Sequence, residues 1–92
     1  SHRLVTPALR RALIARDGGC LCPGCNIPAT WTEAHHLVEW YAGGVTSLDN
    51  LVLLCSHHHH AVHTGVWRIT GPANRATFTP VWPGLSSLIR AA

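Results

Sequence analysis

Histidine and cysteine crowd into three short stretches of this chain, and their spacing is that of metal ligands. In Cys55-Ser56-His57-His58-His59-His60-Ala61-Val62-His63, His59 and His63 are four apart, so on a helix they share a face and can share an ion. His58 is rotated by about 100° from His59 and belongs to a different face. It follows Cys55 by three residues, a C-x-x-H spacing that supplies half of a zinc site. One short helix would then hold two metals on neighbouring faces.

The missing half of the zinc site lies in Cys20-Leu21-Cys22-Pro23-Gly24-Cys25. Cys25 together with Cys22 (C-x-x-C) or with Cys20 (C-x4-C) completes a set of three thiolates and one imidazole. Such a set is closed to substrate, and its role is structural. Two disulfides are the other use for four cysteines, but no secretory signal is visible and histidines crowd beside Cys55, so metal is the expected use. The second ion needs a further ligand, and His35-His36 offers it. Neighbours on a strand point to opposite faces, so one imidazole can bind while the other works as a base; an imidazole pKa of about 6.5 suits water activation near neutrality. His57 and His60 face away from both proposed ions and read as solvent-exposed, and His2 carries no weight.

These side chains need elements to hold them. Thr6-Pro7 opens a helix over about 6–17, stopped by Gly18-Gly19. Residues 20–25 form an irregular zinc loop, and Trp31 to Trp40 reads as a strand carrying His35-His36. A glycine-containing loop follows to Asn50, and Leu51–Leu54 is an apolar run with the length of a buried strand. Ser56 is expected to cap a short helix through His57 to Thr64, which Gly65 ends. A hairpin is expected over about 66–79, and beyond Pro80 the Pro/Gly/Ser-rich composition reads as a tail or linker.

With 92 residues, 47% of them hydrophobic, the chain fits one folded domain over 1–92, expected to be a fragment of a longer protein. No apolar run approaches the roughly 20 residues that span a bilayer, so no membrane partner and a cytoplasmic location are expected. The net charge of +3 comes from seven Arg, no Lys and four acidic residues, a modest basic bias compatible with phosphate binding. Arg10, Arg11, Arg16, Arg68 and Arg75 are candidates for phosphate-backbone contacts and equally for ordinary solubilising roles.

The order Ala34-His35-His36-Leu37-Val38, Gly43-Gly44, Asn50-Leu51-Val52-Leu53-Leu54-Cys55 and His58-His59 resembles the HNH endonucleases. The double histidine with His59 and His63 is similar to the colicin nuclease branch. The paired cysteine motifs resemble a zinc-stabilised branch. The resemblance covers about residues 16–67. It implies an α+β fold with a ββα-metal (His-Me finger) core and a structural zinc. It also implies hydrolysis of phosphodiester bonds in DNA using one catalytic divalent ion (Mg²⁺, Mn²⁺, Ni²⁺ or Zn²⁺). By position, His36 would be the general base. His35, His59 and His63 would hold the catalytic ion, and Asn50 would brace the loop that aims His36. Cys20, Cys25, Cys55 and His58 would hold zinc, with Cys22 as the alternative to Cys20; the aromatic that relatives carry at position 22 is replaced here by cysteine. A non-catalytic zinc module that binds nucleic acid would explain the cysteines but leave His35, His36, Asn50, His59 and His63 without a task.

Overall fold

The computed structural model describes residues 4–81. An α-helix, α1 (Pro7–Asp17), precedes two strands, β1 (Thr32–His36) and β2 (Leu51–Cys55). The helix α2 (Ser56–His63) and a hairpin of β3 (Trp67–Thr70) and β4 (Thr77–Pro80) follow. The expected α+β class with a ββα unit is what the chain forms. The segment beyond Pro80, apart from Val81, lies outside the described residues.

The strand β2 organises the core. All five of its residues are buried, as its unbroken apolar run requires, and alternate side chains serve two different clusters. Leu51 and Leu53 meet Leu13 and Ala29 on the α1 side. Val52 and Leu54 meet Cys20, Cys22, Cys55 and Ala73 on the other. On one edge β2 pairs antiparallel with β1, placing Thr32 opposite Cys55 and His35 opposite Val52.

The other edge of β2 is satisfied without a third strand. Leu53 donates its N–H to Asp17 Oδ2 at 3.1 Å and accepts from the Leu21 N–H at 3.0 Å, while Arg16 donates to the carbonyls of Leu48 and Leu51. Buried backbone groups left unpaired are costly, so the C-terminal end of α1 is both a packing element and an edge cover. Arg16 thus has an intramolecular task that neither of its expected roles, phosphate contact or solubilising charge, included. Arg10 has one too, since its Nη2 donates to the carbonyls of Ala29 at 2.6 Å and Thr32 at 2.8 Å.

The helix α1 begins where Thr6 Oγ1 accepts the Leu9 N–H at 3.1 Å. It ends at Gly18, whose φ of 75° places it in the left-handed region that glycine tolerates. Two other boundaries differ from expectation. The first strand stops at His36 instead of running to Trp40, because beyond it the backbone of Val38 is engaged by the Asn50 side chain and Trp40–Ala42 turns as a single 3-10 turn. The cap of α2 is Cys55, not Ser56: the Cys55 sulfur accepts the His58 N–H at 3.5 Å, and Ser56 is already the first helical residue. Thr64 forms the C-cap, with Gly65 just past it at φ 85°.

Candidate metal centres and the loop beside them

Where β2 runs into α2, its last residue meets the loop between α1 and β1. The ligand atoms of Cys20, Cys25, Cys55 and His58 all lie within 4.8 Å of one another. A tetrahedral zinc with Zn–S of ~2.3 Å and Zn–N of ~2.0–2.1 Å holds its sulfurs ~3.8 Å apart and its S–N pairs ~3.5–3.6 Å apart. Cys25 Sγ and Cys55 Sγ stand 3.9 Å apart, Cys20 Sγ and His58 Nδ1 3.5 Å, and Cys55 Sγ and His58 Nδ1 3.2 Å. The residues therefore fit a zinc ion by donor type and by separation. Cys22 is buried but is not among these four. Its backbone carbonyl instead accepts the Cys25 N–H, closing the turn that aims Cys25.

Burial pushes the Cys20 thiol up to about 12. Burial also works against ionising Cys55, but there the N–H of His58 and the neighbouring thiols outweigh it and the thiol falls below its ordinary value. Capture of an ion by this set accordingly displaces protons.

On the face of the ββα unit that carries Glu33 and His35, a second group converges. One nitrogen from each of His35, His59 and His63 lies within 4.8 Å of the others. His59 Nε2 and His63 Nε2 are 3.2 Å apart, near the ~3.3–3.4 Å separation of two imidazoles on one tetrahedral ion. His35 is 6% exposed. Burial and then the neighbouring His59, His63 and His36 hold its pKa down to about 4, so near neutrality it is an uncharged imidazole with a lone pair to offer.

His36, the next residue of β1, is not among these ligands, and its Nε2 lies 2.9 Å from Thr46 Oγ1. The loop carrying Thr46 is tied down by Asn50. Its Oδ1 accepts the Val38 N–H at 2.9 Å, and its Nδ2 donates to the carbonyls of Val38 at 2.9 Å and Val45 at 2.8 Å. One carboxamide thus fastens both arms of the β1–β2 loop, using a donor and an acceptor together. Gly44 lets the arms close: a Cβ there would stand 1.8 Å from the Val38 carbonyl oxygen and 2.9 Å from Asn50 Nδ2. Gly44→Ala is expected to lower stability by about 3 kcal/mol, the upper range for overpacking against backbone, measurable by denaturant unfolding. A loss under about 0.5 kcal/mol would show that the loop yields freely.

Residues 22–65 match the family model described as HNH endonuclease. That stretch belongs to the HNH family. Among curated proteins the chain is similar to the uncharacterized protein MT1160 of Mycobacterium tuberculosis, 38% identical over 65 residues, 71% of this chain and 16% of that protein. It is also similar to the uncharacterized protein Mb1179c of Mycobacterium bovis, 39% identical over 68 residues, 74% of this chain and 15% of that protein. The chain therefore spans about one-seventh of the length of the curated relatives it matches. No solved structure matches it.

The HNH stretch contains both histidine groups, Asn50, Cys22, Cys25 and Cys55, while Cys20 lies just before it. Family membership points to a nuclease or nucleic-acid-binding function. Two polar partners inside it were not singled out from sequence. Glu33 Oε2 lies 2.7 Å from His59 Nδ1, and a signal for it existed, because Glu33 is two residues before His35 and shares its strand face. Thr46 beside His36 gave no signal, since a threonine in a Gly/Ser/Thr loop is unremarkable by type. Among the described residues no helix is long and apolar enough to cross a membrane.

Proposed function

We propose that the HNH domain is a DNA endonuclease that hydrolyses phosphodiester bonds. In it His36 acts as general base, and His35, His59 and His63 hold one catalytic divalent ion. Cys20, Cys25, Cys55 and His58 hold a structural zinc. The observation that carries this reading is the convergence of three imidazole nitrogens from β1 and α2 on one point, beside a fourth imidazole held on its own partner. The rival silent zinc module leaves that convergence unexplained.

The chemistry a divalent ion supplies at such a triad is Lewis-acid stabilisation of charge on the phosphate and on the departing 3′-oxygen. The chain's own residues do the rest. Glu33 accepts the Nδ1–H of His59, which fixes the tautomer and leaves Nε2 as the ligand atom. His36 can be assigned in the same way. With its Nε2–H donated to Thr46 Oγ1, a neutral ring keeps its lone pair on Nδ1. Nδ1 is then the atom that takes the proton of the attacking water. Asn50 and Gly44 hold the loop closed so that Thr46 stays in place for that hydrogen bond.

The test is incubation of supercoiled plasmid with the zinc-loaded chain and Mg²⁺, Mn²⁺, Ni²⁺ or Zn²⁺ in turn, read on a gel. Conversion to open circles or linear DNA with at least one ion, abolished by chelator, is expected. Intact plasmid under every ion, with DNA still bound, would favour the silent module.

A further inference from the structure

Alongside the imidazole triad lies an open groove of about 600 Å³, within the range of ligand-binding clefts. His35 and His63 form part of its wall, so the groove and the proposed catalytic ion share a border. Its other lining is mixed. Leu37, Val62 and Ile69 give it apolar surface, Tyr41 and Trp67 bring aromatic rings, and Arg68 and Glu39 bring charges of opposite sign. Tyr41 is 75% exposed, one of several exposed large side chains, and its ring meets that of Trp40 edge to face with centroids 6.5 Å apart.

Tyr41 is also presented on a fixed base. It sits in the turn Trp40–Ala42, whose ends are closed by the N–H groups of Ala42 and Gly44 on the Glu39 carbonyl, next to the Val38 backbone that Asn50 clamps. A ring held this way has only two side-chain torsions to lose on binding.

The apolar part of this lining and the exposed Tyr41 ring are of little use to a phosphate, or to bases stacked within a duplex. They suit a base whose faces are exposed, which is an unpaired one. Arg68 adds forked donors for a phosphate on the same strand. We infer that this groove receives an unpaired nucleotide next to the phosphate being cut, its base stacked on Tyr41 and its backbone held by Arg68. The domain would therefore prefer single-stranded or locally opened DNA to intact duplex. The inference rests on the endonuclease reading, because it is the triad that fixes where the phosphate sits.

The experiment measures binding of short fluorescent single-stranded and duplex oligonucleotides by anisotropy, with a divalent ion present and His36→Ala in the background to keep the DNA uncut. Single strands are expected to bind more tightly than duplex. Tyr41→Ala should weaken single-strand binding about tenfold, the scale of one lost base–aromatic stack, whereas Tyr41→Phe should not. Arg68→Ala should weaken it too, and flatten the slope of log K against log salt by about 0.7, one phosphate's worth for a single strand. Single-strand binding by Tyr41→Ala equal to that of its parent, or duplex preferred over single strands, would overturn the inference. If plasmid cleavage persists in that case, the endonuclease reading survives alone; a wild type that neither binds nor cuts would overturn both.

Discussion

His36→Ala is expected to cut plasmid about 10²–10⁴-fold more slowly than wild type, the usual contribution of a positioned general base, while its melting curve and zinc content stay close to wild type. The separation of effects follows from where the side chain sits. His36 is half-buried at the end of β1, belongs to neither ligand group, and has Thr46 as its hydrogen-bond partner. Losing one such bond costs about 1 kcal/mol, too little to unfold a domain. Thr46→Val should fall between the two proteins in rate, because the ring keeps its lone pair but loses the contact that fixes its tautomer. Rates at saturating ion, set beside thermal melts and zinc analysis, decide the matter. Equal cleavage by wild type and His36→Ala would remove His36 from the chemistry even if the domain proved to be a nuclease.

The parts of this fold visible in the sequence are those governed by local periodicity. Residues 59 and 63 meet because a helix repeats every 3.6 residues, and His35 and His36 diverge because a strand alternates. The apolar run 51–54 is buried on both faces, as its composition requires. What escaped the sequence depends on long-range hydrogen bonding. Asn50, twelve positions on, takes the backbone of Val38, and the ladder of β1 does not continue to Trp40. A cysteine replaces the expected serine as the cap of α2, because the sulfur at the strand end already faces the His58 N–H. Arg10 and Arg16 look like surface cations in a helix pattern. They are drawn inward by carbonyls from residues 19 to 35 positions away, partners that no local window contains.

Cys25→Ala is expected to leave the domain unfolded at room temperature, and a strong chelator should do the same to wild type. Structural zinc in small finger peptides is worth about 10–16 kcal/mol, whereas whole domains are stable by about 5–15 kcal/mol. Loss of the ion therefore exceeds what the rest of the molecule can offset. Among the described residues the largest fully buried side chains are Leu13, Leu51, Leu53, Leu54 and Val52, a small set, all but Leu13 on β2. The cysteine group is also what joins the 20–25 loop to the start of α2, and α2 carries His59 and His63; unfolding there would disperse the imidazole triad as well. The four cysteines should not be equivalent. Cys20→Ala should behave as Cys25→Ala does, because its sulfur stands 3.5 Å from His58 Nδ1. Cys22→Ala removes a buried sulfur outside the group, and should keep one equivalent of zinc at a cost of about 1–2 kcal/mol, that of a small cavity. Zinc content by mass spectrometry under native conditions, beside circular dichroism melts, separates these outcomes. An unchanged melt for Cys25→Ala would dismiss the zinc tetrahedron, and zinc lost from Cys22→Ala but kept by Cys20→Ala would exchange the two ligands.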